Sequence, residues 1–232
     1  MKKIKFIPNS QDAYDKLDAP KPASKSVPDW YRLSTKFIGG KMEIKEYGIN
    51  KDLKLCVPFF DSLLAGYQIE LICDLIVRKN SDGSRSFSWA EEPEPIAFRS
   101  SDIASTLPRP YGHTKQMYAW KTSWGFKTPK GYSTLITHPF NRFDLPFITT
   151  SGIMDTDEYS LGGEVPFFLN ESFEGIIPAG TPILQALPFK RDSWKSEKEE
   201  FKDGWVKRQA YLVNKVIYGG YKKLMWHRKS YK

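Results

Sequence analysis

Between Ile69 and Arg78 the chain runs with a period of two. Ile69, Leu71, Cys73, Leu75 and Val77 form one apolar series, and Glu70, Ile72, Asp74, Ile76 and Arg78 form the other. Only a strand sends successive side chains to opposite faces, so this run predicts a sheet with one buried face and excludes an all-helical fold. Ser81-Asp82-Gly83-Ser84 then breaks the pattern with turn residues, and Arg85–Trp89 returns as the partner strand of a hairpin. Cys73 falls in the apolar series and reads as a packed thiol.

The same logic carries through the body, which opens at Leu53–Phe60. Loops rich in Pro, Gly and Asn separate strand candidates at Gly131–Thr137, Glu164–Asn170 and Ile183–Phe189, while residues 91–118, with four prolines, read as irregular. Residues 1–36 carry Pro8, Pro20, Pro22 and Pro28 without periodicity beyond a short turn at Asp12-Ala13-Tyr14. They are expected to form an extended arm, with Val27–Tyr31 docking its aromatics on the body. From 193 to 218 the period becomes helical through Phe201, Trp205/Val206, Leu212/Val213 and Val216/Ile217, capped by Asp192 or Ser193 and ended by Gly219-Gly220. The expected organisation is an arm (1–36), a β-rich core (37–192), and a helix with a basic aromatic tail (193–232).

Charge separates the tail from the rest. The chain has 35 Lys+Arg and 27 Asp+Glu among 232 residues, a net +8. No acid follows Asp203, whereas Lys207, Arg208, Lys215, Lys222, Lys223, Arg228, Lys229 and Lys232 do, so the whole excess resides in the last 29 residues. An aromatic share of 15% excludes a disordered chain. No apolar run approaches the ~18–20 residues of a membrane span, the N-terminus lacks a signal-peptide stretch, and two cysteines form neither a metal spacing nor a disulfide framework. A reduced compartment without membrane association is expected.

Several blocks resemble dUTPases. Ala65-Gly66-Tyr67 is similar to the start of their first motif, and Thr128-Pro129-Lys130-Gly131-Tyr132-Ser133-Thr134-Leu135-Ile136 to the strand entering the second. Gly152-Ile153-Met154-Asp155-Thr156-Asp157, Gly163-Glu164-Val165 and Pro178–Gln185 are similar to the third and fourth. This resemblance implies a β-clip or distorted barrel that assembles as a trimer, with Asp155 as the water-activating carboxylate and Arg142, Tyr159 and Gln185 as nucleotide contacts. The departures are specific. Gln68 stands where the motif places a metal-associated Asp, Arg142 is displaced from the phosphate-binding turn, Glu158 replaces the base-stacking Tyr, and no glycine-rich phosphate arm follows. Losing metal and phosphate contacts removes most of the electrostatic stabilisation that phosphoryl transfer requires. Pro28-Asp29-Trp30-Tyr31, Thr128–Ser133 and Ile176–Ile183 also resemble proteins of large tailed phages that carry no assigned activity.

Three further clusters have competing readings. Asp155-Thr156-Asp157-Glu158 suits a divalent cation or general base, or a turn whose carboxylates accept from backbone amides. His113, His138 and Asp155 have the composition of a facial triad without its spacing. Trp120–Lys127 suits stacking on bases or sugars, or burial in a core or subunit interface. The leading expectation is a phage-encoded, non-catalytic homo-oligomer in the virion or the host cytoplasm, an assembly component contacting other virion proteins, without cofactor or metal. The alternatives are a nucleotide-binding or nucleotide-hydrolysing enzyme using Asp155 with Mg, and a nucleic-acid binder using Lys222, Lys223, Arg228 and Lys229.

Overall fold

In the computed structural model, which describes residues 2–46, 48–90, 93–99, 106–214 and 219–232, the stripe Ile69–Val77 is buried at every odd position. The elements in chain order are β1 (Lys5–Pro8), α1 (Gln11–Lys16), β2 (Lys21–Pro22), α2 (Asp29–Leu33), β3 (Ile44–Lys45), β4 (Gly48–Ile49), α3 (Val57–Leu64), β5 (Tyr67–Glu70), β6 (Leu75–Lys79), β7 (Arg85–Ser88) and β8 (Ile96–Phe98). After these come β9 (His113–Lys121), β10 (Trp124–Lys127), β11 (Tyr132–Thr137), β12 (Phe147–Thr149), β13 (Gly152–Met154), β14 (Glu164–Asn170), β15 (Gly175–Ile177), β16 (Pro182–Lys190), α4 (Asp203–Asn214) and α5 (Gly220–Leu224). The protein is mainly β, and its named strand pairs are antiparallel. Contacts group it into two units, Met1–Ser26 with Gly66–Arg191, and Val27–Ala65 with Asp192–Lys232.

In the first unit the sheets run β13-β11-β16-β5-β2, β12-β14-β9-β8 and β15-β6-β7, beside the ribbon β1-β10. None of them closes into a barrel among the described residues. Their inner faces share one core, in which Trp120 stacks on Phe167 with centroids 3.7 Å apart and Phe147 meets Trp120 edge-on at 4.8 Å. Burying the indole N–H requires an acceptor. It donates to Thr149 Oγ1 at 3.0 Å, and that hydroxyl donates to Ile183 O at 2.6 Å, joining two sheets. At the entry to β5, Gly66 has φ +69° and lies so close to β16 that a Cβ would sit 2.1 Å from Ala186 O. Glycine is required there on both counts.

In the second unit Tyr31 of α2 stacks against Phe59 and Phe60 of α3 at 5.9 and 5.8 Å. Lys54 Nζ donates to the carbonyls of Tyr31, Arg32 and Ser34 at 2.6–3.0 Å, adding a cation to the acceptors at the end of α2.

The sequence expectations diverge from this structure at identifiable places. The described part of residues 1–36 contains two short strands, two α-helices and a 3₁₀ turn at Ala23–Lys25: β1 pairs with β10, and Ser10 Oγ caps α1 by accepting from Ala13 N–H. Val27–Tyr31 is extended only at its start: Pro28 is extended at the N-cap, and Asp29–Tyr31 begin α2, where the Asp29 carboxylate in the first turn suits the helix dipole. Leu53–Phe60 forms a 3₁₀ turn and the start of α3. The expected single strand through Ile69–Arg78 is two, β5 and β6, in different sheets. The irregular stretch 91–118 contains β8 and most of β9. The expected helix over 193–218 starts at Asp203 instead of a cap at Asp192 or Ser193. Residues 193–202 are exposed, so no buried face draws them into a helix. Lys215, Val216 and Ile217 lie outside the described residues.

Candidate functional site

Asp155, Thr156 and Asp157 follow β13 in a turn whose amides at Glu158 and Tyr159 donate to Asp155 O. Asp155 Oδ1 accepts from Ser133 Oγ at 2.6 Å and lies 3.1 Å from Arg191 Nη1. Asp157 Oδ2 accepts from Gly131 N–H at 2.8 Å, and both its oxygens accept from the Arg191 guanidinium at 2.7 and 2.5 Å, a bidentate fork. Thr156 is wholly buried between them, its hydroxyl 2.8 Å from those of Thr128 and Thr134. The acid turn therefore ties the start of β11 to the residue after β16.

These contacts set the electrostatics. The Ser133 hydroxyl and then Arg191 hold the Asp155 carboxyl below the ordinary carboxylate range. Arg191, with help from the Gly131 amide, holds Asp157 at about 2. The two carboxylates in turn raise the guanidinium above its ordinary value. General-base catalysis is most efficient with a pKa near the working pH, so lowering Asp155 makes it a weaker base at neutrality. The Asp155 side chain remains 63% exposed, whereas that of Asp157 is 2% exposed.

The nucleotide contacts implied by the dUTPase resemblance fall into two groups. Tyr159 shares the acid turn with Asp155, and its side chain is largely exposed. Arg142 lies in the turn that follows β11, and Gln185, on β16, bonds to that turn. There Arg142 forks onto Asp144 at 2.9 Å, and fully buried Gln185 accepts from Phe140 N–H through Oε1 at 2.8 Å. In the β11–β16 ladder Ser133 faces Phe189, while Thr137 faces Gln185. The two groups thus attach to opposite ends of β11, about 13 Å apart at ~3.3 Å per residue.

His138 belongs to the second group. Its Nδ1 accepts from Thr149 N–H at 3.3 Å, and its Nε2 lies 3.1 Å from Arg142 O, a pattern satisfied by the tautomer protonated at Nε2. Burial pushes its pKa down. His113 Nδ1 instead faces Tyr111 O at 2.9 Å. Among the described residues no group of three His, Cys, Asp or Glu side chains could hold a metal ion. Trp120 and Trp124 are buried, in line with their core reading.

The C-terminal bases are partly engaged. Asp61 of α3 accepts from Trp226 Nε1 at 2.8 Å and from Lys229 Nζ at 2.6 Å through the same oxygen. Lys222 and Lys229 Nζ lie 5.9 and 5.8 Å from the Trp226 ring, and Arg228 is exposed. Sequence reasoning missed Arg191 and Ser133, which are what make the acid turn a clamp. A lone Arg beyond a strand carries no signal of a partner 34 residues earlier.

No protein-family model and no curated protein matches the chain. Among solved structures it is similar to a dUTPase from phage phi11 of S. aureus at 13% identity and a TM-score of 0.28, over 56% of this chain and 97% of that one.

Proposed function

We propose that this mainly β protein acts through its surfaces as a phage virion or assembly component, self-associating and without hydrolase activity. The observation that carries this reading is the acid turn: Asp155 and Asp157 serve β11 and β16 through Ser133, Gly131 and Arg191. The phrases resembling tailed-phage proteins support the origin. Exposed apolar side chains on strands, Ile148, Ile153 and Ile176, support association between copies. Light scattering at micromolar concentration is expected to show an oligomer, and mass spectrometry of purified particles to find the chain. Incubation with deoxynucleoside triphosphates and Mg is expected to release no pyrophosphate. A strict monomer refutes the self-association, and Mg-dependent pyrophosphate release that disappears in Asp155→Asn refutes the non-catalytic reading.

A further inference from the structure

A second concentration of like charge lies in the first unit, around an open cleft of about 1130 Å³. Among the described residues five cations line it, Lys79, Arg85, Arg99, Arg109 and Lys115, against one acid, Glu171. They come from separate stretches of sequence on two sheets and a loop: Lys79 faces Arg85 across the β6–β7 hairpin, Arg99 follows edge strand β8, and Lys115 lies on β9.

Unlike the acid turn, this cluster keeps cations without a counter-charge among the described residues. Lys79 and Lys115 are exposed and form no ion pair among the described residues. Arg109 is 3.7 Å from Glu171, and Arg99 is 3.0 Å from Glu164, which does not line the cleft. Arg85 is only 8% exposed, and its guanidinium meets backbone carbonyls of Gly83 and Glu171 rather than a carboxylate. The Nε–H groups of Arg85 and Arg99 are both buried and have no partner among the described residues. Unpaired donors and uncompensated cations around one concavity favour an acceptor-rich anion, and low-dielectric walls concentrate that field.

The wall supplies a second kind of contact. Phe98 is 61% exposed although Phe87 and Tyr118 hold its ring edge-on at 5.7 and 6.2 Å. A ring fixed from two sides with area still open is a stacking platform for an unpaired base. The cleft also exceeds the ~300–1,000 Å³ usual for small-molecule sites.

We propose that this cleft binds single-stranded nucleic acid, with phosphates on Lys79, Lys115 and Arg109 and a base against Phe98. A duplex would not present a base face to that ring. The test is fluorescence anisotropy of a labelled 15-nucleotide oligothymidylate with the full chain at low salt. Circular dichroism and melting would confirm that each variant is folded.

Lys79→Glu with Lys115→Glu is expected to weaken binding about tenfold or more and to reduce the salt slope by about 1.4, at ~0.7 per phosphate contact. Phe98→Ala should weaken it about fivefold or more while leaving binding of inorganic polyphosphate unchanged. Neutralising Lys222, Lys223 and Arg228 together to Gln should leave oligothymidylate affinity within about twofold, since phosphates at the cleft set it. No binding by the wild type, unchanged binding in the double Lys variant, or loss confined to the tail variant would each overturn the proposal. Loss in the Lys variant with none in Phe98→Ala would replace the strand by a simple phosphate polyanion and overturn it as well.

Discussion

The acid turn and the basic cleft are both clusters of like charge, and the fold treats them in opposite ways. Asp155 and Asp157 converge on one guanidinium, a serine hydroxyl and a backbone amide, so their charge is consumed in joining two strands. Lys79 and Lys115 lie on different sheets without such partners among the described residues, where Arg85 is likewise buried without a carboxylate. In sequence the first is three carboxylates within four residues, which draws attention as a catalytic candidate, whereas the second is spread over 37 residues between Lys79 and Lys115. Proximity along the chain thus marks where charge is, and tertiary partners decide whether it is available.

Removing the closing group of the acid turn should have the largest effect. Arg191→Ala leaves two neighbouring carboxylates, one almost wholly buried, without their cation, and is expected to give the steepest fall in melting temperature. The variant should then regain stability with added Ca²⁺, a response absent from the wild type, because two unpaired carboxylates suit an oxygen-seeking cation. Thermal melts with and without Ca²⁺ check both expectations. Thr156→Val should cost about 1–3 kcal/mol, measured by chemical denaturation, since the hydroxyls of Thr128 and Thr134 lose a shared buried partner. Asp155→Asn should be the mildest, because the side chain is mostly exposed and an amide oxygen can still accept from Ser133.

The pH dependence separates the two ends of β11. His138 has its pKa lowered by burial, so the folded state resists a proton that the unfolded chain accepts near 6.5. Its contribution is complete above that value and is lost as pH falls through the lowered folded value. The Asp155 and Asp157 contributions are complete above 3.8 and are lost as pH falls further, through about 2 for Asp157. Melting against pH should therefore show an upper step removed by His138→Gln and a lower one removed by Arg191→Ala.

The strands that alternate or are bounded by turn residues were legible. Glu164–Asn170 coincides with β14, and the predicted β11 and β16 differ by about a residue at their ends. The stripe 69–77 shows the limit of that signal. Its alternation continues across Leu71–Asp74 because every odd residue faces the core, yet there the chain leaves one sheet for another. Leu71 N–H donates to Thr181 O, Gly180 N–H to Leu71 O, and Ala179 N–H to Asp74 Oδ1. Periodicity reports which face is buried and not which neighbour pairs with it. Strand β1 was missed for a related reason, since Lys-Phe-Ile-Pro is short and its partner Trp124–Lys127 lies more than a hundred residues away. Neither Arg191 at the acid turn nor the grouping of Lys79, Phe98 and Lys115 leaves any local pattern to read.

The closure of the acid turn is tested most directly by following the carboxyl carbons of Asp155 and Asp157 by NMR as pH is lowered, in the wild type and in Arg191→Ala. In the wild type, Asp157 should titrate at about 2 and Asp155 below 3.8, and both should move upward when the guanidinium is removed. An Asp157 that titrates at or above 3.8 in the wild type, or does not respond to Arg191→Ala, would contradict the clamp and return the turn to the pool of open functional sites.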